Sequence, residues 1–388
     1  MEPGPVKRLA FALLILALSA TVLGSCSGDD GDTKTLGNRL TFVARRVGEY
    51  DVYLPMNGIH PLELTRSLPW DGFPVWSPDG ALIAFYADRN FNIQDRDDNL
   101  EIYVMSQDGS SMSNLTNTAA NDAFPYWSPD GSSIAFYSDR DGNGEVYIMK
   151  ADGSEVRRLT DSGEVDIPFG FSPDGSRLGF ISGRTGRLQI YSMRADGSDV
   201  KRLTDSSGND LSPAWSPDGS HIAFESDRDG NADIYVANAD GSNPINESVR
   251  PLRDGNPTWS PDGRRLAFVS ERDGNAEIYV TDIEFSILTR VTSQPREDSQ
   301  PSWSPDGARL AFVSHRDLTP EIYVANADGS GQTRFTINED VEAGPQWSSG
   351  SKLAFEESDQ GRRDVYVVNA DGSGLVRLTN DQAPVAAQ

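Results

Sequence analysis

The chain has one cysteine, three histidines and too few basic residues to balance its acids. A single cysteine, at position 26, excludes a disulfide within the 388 residues. The histidines, His60, His221 and His315, are scattered, with no His-x-x-x-His pair of the kind that ligates zinc. Lys and Arg number 34 against 59 Asp and Glu, and a formal charge of −25 repels phosphate backbones, which sets nucleic acid aside as a partner. No Gly-x-Ser-x-Gly elbow occurs, and no strand-then-helix segment exists to hold one. Long apolar runs are missing too. The longest, residues 9–22, has 14 residues, short of the roughly 20 a membrane-crossing helix needs.

That run has the form of a leader instead. Lys7 and Arg8 precede it, and Leu23-Gly24-Ser25-Cys26 closes it with a resemblance to the bacterial lipobox, whose cysteine is lipidated. Residues 1–26 are therefore expected to be a lipoprotein signal peptide, with Cys26 as the membrane anchor. Residues 27–37, rich in Gly, Asp, Ser and Thr, read as a flexible tether. The folded domain is expected over 38–388.

What fills that domain is a repeat. Asp210-Leu-Ser-Pro213-Ala-Trp215-Ser-Pro217-Asp218-Gly219 recurs in near-copies, placing an aromatic at Trp76, Trp127, Phe171, Trp215, Trp259, Trp303 and Trp347. The steps are 51 and then 44 five times over. Ser-Pro-Asp-Gly spells a tight turn, with Pro fixing one backbone angle and Gly taking the left-handed one. Alternating strands such as Ile222-Ala-Phe224 and Asp233-Ile-Tyr-Val236 follow, separated by the turns Asp227-Arg-Asp-Gly-Asn231 and Asn238-Ala-Asp-Gly241. A more polar strand ends the unit at Leu-Thr. Four short antiparallel strands per unit at this period make one blade of an all-β propeller.

The array starts out of phase, with second, third and fourth strands at Arg39, Asp51 and Leu62 and no first strand before them. At the other end Asp381 and Pro384 repeat the Asp-x-x-Pro spacing that opens most first strands. The C-terminal segment 381–386 is therefore expected to complete the first blade and close the ring, since an open ring leaves two bare sheet edges. Eight blades result, with seven or six as alternatives if the weakest unit is not a blade.

These residues resemble the TolB-type propeller repeat over about 38–386: Pro-x-Trp-Ser-Pro-Asp-Gly, Ile-Ala-Phe, Ser-Asp-Arg-Asp-Gly-Asn, Ile-Tyr-Val, Ala-Asp-Gly and Leu-Thr. Phe171, and Ser348-Ser349-Gly350 in place of the turn, depart from it. The resemblance implies a propeller and an extracytoplasmic, periplasmic or cell-surface setting. Propellers of this type also accompany prolyl-oligopeptidase-type hydrolases and build some polysaccharide lyases, so it does not decide the activity.

Two rings of charge run through the repeat. Acids open the first strands: Asp71, Asp122, Asp166, Asp210, Asp254, Asp298 and Glu342. Arginines follow the second strands: Arg46, Arg89, Arg140, Arg184, Arg228, Arg272 and Arg316. Antiparallel pairing brings both to one rim, either as structural Asp–Arg pairs or as a ring for an anionic ligand. On the same rim Asp139, Asp141, Asn143 and Glu145 alternate like the start of a calcium loop, but no acid follows at the twelfth position. No other cofactor or metal is indicated. With no catalytic motif or histidine cluster, the expectation is a monomeric, lipid-anchored, non-catalytic scaffold binding a protein or cell-wall glycan. The alternative is a carbohydrate- or peptide-acting lyase or hydrolase with its site at the channel mouth.

Overall fold

A computed structural model describes the strands between Phe42 and Arg377, with side chains chiefly over residues 99–335. The leader 1–26 with Cys26, the tether 27–37, His60, Arg89 and the closing segment 381–386 lie outside the described residues, as do the side chains of Arg46, Asp71 and Glu342.

Each repeat begins with a hairpin written into four residues. In Ser128-Pro129-Asp130-Gly131, the Gly131 N–H donates to the Ser128 carbonyl at 2.8 Å, and Gly131 takes φ 70°. A type I turn ending in a left-handed glycine is a favoured short hairpin loop. Asp130 fastens it, accepting from the Ser128 hydroxyl at 2.5 Å and the Ser132 amide at 3.0 Å. The hairpin joins Asp122–Trp127 to Ser133–Ser138, which pairs with Glu145–Lys150 and then with the two-residue strand Arg157–Arg158.

Among the described residues six such four-stranded antiparallel sheets occur, opening at Asp71, Asp122, Asp166, Asp210, Asp254 and Asp298. We call each a blade, after its opening acid. The chain is an all-β propeller. A seventh sheet joins the last repeat to the first, the strand Arg362–Asn369 meeting Phe42–Arg46 at the Arg362–Arg46 pair. First strands of successive blades approach one another, which places them nearest the axis. Most outer strands have only two residues, too short to template pairing with another chain.

The first strands are not regular. Their register shifts between Ala123 and Tyr126, Leu211 and Ala214, Gly255 and Thr258, and Ser299 and Ser302. Phe124, Ser212, Asn256 and Gln300, each just before the strand's proline, carry φ values of 53°, 48°, 54° and 53°. A left-handed residue costs about 1–2 kcal/mol unless it is glycine, so packing must hold these bulges in place. Proline fits beside them because an edge strand does not need that N–H for pairing. In the Asp166 blade the proline comes one residue early, and Gly170 takes the positive φ, 116°.

The core is a stack of aromatics. Phe136, Phe180, Phe224, Phe268 and Phe312 are fully buried, and each lies on the tyrosine of the next strand at 5.4–6.1 Å between centroids. Burying one such ring contributes roughly 1.5–3 kcal/mol.

Candidate functional site

The acidic and basic rings meet inside each blade. Arg140 Nη2 lies 3.0 Å from Asp122, Arg184 Nη2 2.7 Å from Asp166, and Arg228 Nη2 3.1 Å from Asp210. Arg272–Asp254 and Arg316–Asp298 repeat the pair at 3.1 and 3.2 Å. All five carboxylates are fully buried. Each guanidinium also donates through Nε to the last serine of the second strand, as Arg140 does to Ser138 at 2.8 Å. It lies over the paired rings as well, Arg140 being 4.8 Å from the centroid of Tyr147. The cation is held on three sides by its own blade. Burial, with the nearby Glu145 carboxylate adding to it, pushes Asp166 up to about 6 despite Ser182 and Arg184. Burial likewise raises Asp254 and Asp298.

Sequence reasoning missed a second buried ring. Glu101, Glu145, Gln189, Asp233, Glu277 and Glu321 open the third strands and are all nearly or fully buried. Glu145 accepts from the Thr160 hydroxyl at 2.6 Å, the Ser162 amide at 2.9 Å and Arg158 at 2.8 Å. The 13-residue spacing from acid to arginine shared by Glu145–Arg158, Glu277–Arg290 and Glu321–Arg334 was the signal available.

This fastening also accounts for the calcium-like run. Asp139 accepts from the main chain and side chain of Asn121 at 2.8 and 3.0 Å, and Asp141 accepts from the Tyr147 hydroxyl. Asn143 donates to Glu145 and to the carbonyls of Ser162 and Glu164. Among the described residues no group of three or more His, Cys, Asp or Glu is disposed to hold a metal ion. His221 lies beside Ser220, Nδ1 to Oγ 2.7 Å, and 6.4 Å from the ring of Trp259. His315 sits half-buried in the Asp298 blade.

What distinguishes one blade from another is the fill beside the first-strand bulge, toward the Asp–Arg end of the strands. The residue after the second-strand phenylalanine is Tyr86, Tyr137, Ile181, Glu225, Val269 and Val313 in turn. Five are apolar or aromatic. Glu225, 5 % exposed, is not. At the bulge the series runs from Phe124 to Ser212, Asn256 and Gln300. In the Asp71 and Asp122 blades this fill is aromatic and part of the buried core: Tyr86 meets Phe124 edge-on at 5.9 Å, and Phe124 meets Tyr137 at 6.3 Å. In the Asp210 blade it is polar. Glu225 Oε1 accepts the Asn256 N–H at 2.8 Å, and Oε2 lies 3.8 Å from Arg253. Ser212 Oγ, in a residue only 3 % exposed, has no hydrogen-bond partner.

Comparison with known proteins places this geometry. The family model described as TolB beta propeller domain matches residues 91–169, 163–254 and 248–384. A curated relative from Bacillus subtilis, the uncharacterized peptidase YuxL, is 34% identical over 105 residues, 25% of this chain and 15% of its own length. A second, from Agrobacterium fabrum, is 35% identical over 103 residues, so the chain spans 15% and 33% of these two relatives. Among solved structures, dipeptidyl peptidase 4 of Porphyromonas gingivalis matches 90% of this chain and 59% of its own at TM-score 0.63 and 16% identity. The oligogalacturonate lyase of Vibrio parahaemolyticus matches 85% of this chain and 96% of its own at 0.57 and 15%.

Identities this low show the fold. Even so, peptidases and lyases among the structures of this shape, together with the Bacillus peptidase, overturn the expectation of a non-catalytic, protein-binding scaffold. The reason is physical. A motif search along a repeat reports what the blades share, whereas a chemical site is built from what one blade does not share.

Proposed function

The chain belongs to the TolB beta propeller domain family, and on that premise we propose that it serves peptide cleavage, receiving its substrate at the channel mouth on the Asp–Arg rim. The observation that carries this reading is the buried Glu225. It stands where other blades place tyrosine, isoleucine or valine, two blades on from the aromatic Phe124–Tyr137 pair. A peptide needs both surfaces, apolar contact for its side chains and hydrogen-bonding groups for its backbone and charges. The Bacillus relative and dipeptidyl peptidase 4 support hydrolysis of peptides. A second reading, cleavage of a polysaccharide, is supported by the lyase, whose own chain is matched over 96% of its length.

Purified protein incubated with a mixed peptide library and with oligogalacturonate, followed by mass spectrometry, tests this. New peptide termini that disappear in Glu225→Gln are expected. Unsaturated sugar products would transfer the proposal to the second reading, and no product from either substrate would overturn it.

The same proposal places the protein outside the cytoplasm, anchored by a lipid on Cys26 after removal of the leader, with the tether 27–37 before the domain at 38–388. The lipobox resemblance and the family support this. One acyl chain binds a membrane only marginally, so a doubly acylated cysteine is what stable anchoring requires. Palmitate labelling lost in Cys26→Ser is the expected result. Eight blades, closed by 381–386, belong to the proposal as well, on the Asp381-x-x-Pro384 spacing. The protein or cell-wall glycan expected as a partner is then met at the cell envelope.

A further inference from the structure

One seam between blades breaks the rule that closes the others. Elsewhere the turn after the third strand sets a glycine against the preceding blade. A Cβ at Gly153, Gly197, Gly241 or Gly329 would come within 3.3 Å of Leu115, Leu159, Leu203 or Val291 respectively, so the approach calls for glycine. At the Asp122–Asp166 seam Arg157 adds a clamp from outside, its Nη1 and Nη2 donating to the carbonyls of Asp196 and Ala195 at 2.8 and 2.7 Å. Between the Asp210 and Asp254 blades the repeat register puts Glu247 in the place of Leu203, Phe285 in the place of Gly241, and Ile245 in the place of Arg157 and Lys201. The sequence there supplies neither the glycine nor the cation.

What this seam presents instead is apolar. Ile245, Ile287 and Leu288 are 57, 62 and 47% exposed, the three most exposed large hydrophobic side chains among the described residues. They belong to the outer edges of the two blades: Ile245 opens the outer strand Ile245–Asn246, and Ile287 leads into Leu288–Arg290. The equivalents of Ala195 and Asp196 are Ile283 and Glu284, so the clamp position taken by Ile245 borders the same turn that carries Ile287. That turn is fastened. Asp282 accepts from the Ser286 hydroxyl at 2.5 Å and the Ile287 N–H at 3.2 Å, and Ile283 packs on the core around Trp259 and Leu266. Ile287 is thereby held outward. An exposed apolar patch made by departing from the repeat works against the fold's own pattern and marks a place of contact.

The same exchanges choose the partner's charge. Ile245 removes a cation, Glu247 adds an acid in place of leucine, and Glu284 keeps the exposed acid that other turns carry as Asp152, Asp196, Asp240 and Asp328. In a chain of −25 this repels a second copy and an anionic bilayer, and it suits a basic partner. Backbone is on offer too, since Leu288–Arg290 is a three-residue outer edge where the other outer strands have two. We propose that the outer edge of the Asp210–Asp254 seam docks an extended, basic, amphipathic segment of a partner protein, which adds as a strand to Leu288–Arg290 with its apolar face on Ile245, Ile287 and Leu288. The surface lies on the circumference rather than at the axis, and the docking stands whether or not the chain cleaves peptides.

Fluorescence anisotropy of labelled heptapeptides with the full chain tests this. Lys-Ile-Lys-Leu-Lys-Ile-Lys should bind at least about tenfold more tightly than Lys-Ser-Lys-Ser-Lys-Ser-Lys or Glu-Ile-Glu-Leu-Glu-Ile-Glu. Ile287→Ser combined with Leu288→Ser should remove that preference, as should Ile245→Arg, which restores the cation of the regular seam. Val156→Ser, exposed on a regular seam, should change nothing. Equal binding of the first two peptides by the unmodified protein would overturn the proposal, as would a preference unchanged in the double variant. If the double variant fails to fold, Ile245→Arg still decides it. Sedimentation velocity and flotation with phosphatidylglycerol vesicles cover the other occupants. A dimer or vesicle binding that disappears in the double variant would overturn the proposal in favour of a second copy or a lipid surface.

Discussion

Trp259 donates its indole N–H to the main-chain carbonyl of Ala214, 3.1 Å away in the preceding blade. Trp127 does the same to Val75 at 3.1 Å, and Trp303 to Thr258 at 3.2 Å. In these three the acceptor is the residue just before the preceding blade's own tryptophan, so the motif that sets the repeat also stitches these blades together. Trp215 and Trp347 lack this stitch, the Trp347 indole nitrogen being buried without a partner as well. For Trp215 the residue that should accept is Gly170, in the strand whose bulge comes early, and Trp215 Nε1 is buried with no partner.

Replacing the indole by a phenyl ring therefore separates packing from the hydrogen bond. Trp259→Phe should destabilise by about 1–3 kcal/mol, because a buried carbonyl loses its donor. Trp215→Phe should cost less, since no bond is lost there. Urea melts of the two variants are the measurement, and equal midpoint shifts would contradict the assigned stitch.

Much of this was legible in the sequence and some was not, for a physical reason. Period, turn residues and strand alternation are local, so Ser128-Pro-Asp-Gly and Ile-Ala-Phe announced their hairpin directly. The Asp122–Arg140 pair was foreseeable because antiparallel strands bring both ends to one rim. The left-handed bulge at Phe124 was not, since only the sheet register and the neighbouring Tyr86 ring favour it over ordinary strand. Nor was Glu225, because a charged residue at an alternating position reads as outward-facing until the next blade is packed against it.

The raised Asp166 carboxyl makes a pH prediction. Its folded value, about 6, lies above the ordinary 3.8, so the folded state holds this proton more tightly than the unfolded chain does. The stability it contributes is full below pH ~4 and is lost as pH rises through about 6. Asp166→Asn should remove this part of the fall. Thermal melts from pH 4 to 7 should show a flatter profile in the variant, and parallel profiles would place the proton elsewhere.

Chelation should do little. Both oxygens of Asp139 and Glu145, and Oδ2 of Asp141, already face an amide, a hydroxyl or Arg158. A site filled at a hundred times its dissociation constant would add about 2.7 kcal/mol, easily visible in a melt. The expected result is one melting curve, with calcium or with EDTA. A clear rise with calcium would show that these contacts yield to the ion.

The last prediction concerns Arg272, the most enclosed arginine of its ring among the described residues, whose side chain is 9% exposed. Its Nη2 meets Asp254 at 3.1 Å, its Nε meets Ser270 Oγ at 2.7 Å, and its plane lies 4.6 Å from the Tyr279 centroid. An arginine so placed has little left to offer a solvent anion. Phosphate should therefore leave the melting temperature unchanged beyond what sodium chloride does at equal ionic strength. Arg272→Ala should cost about 3–5 kcal/mol, because it strands a fully buried carboxylate. Arg272→Lys should recover only part of that, since an ammonium cannot reach Asp254 and Ser270 in one plane or lie flat on the tyrosine. Asp254→Asn combined with Arg272→Ala should cost less than the sum of the single changes, as it must when one partner's loss is what strands the other. Additive costs in that cycle would mean that the two residues stabilise the blade independently.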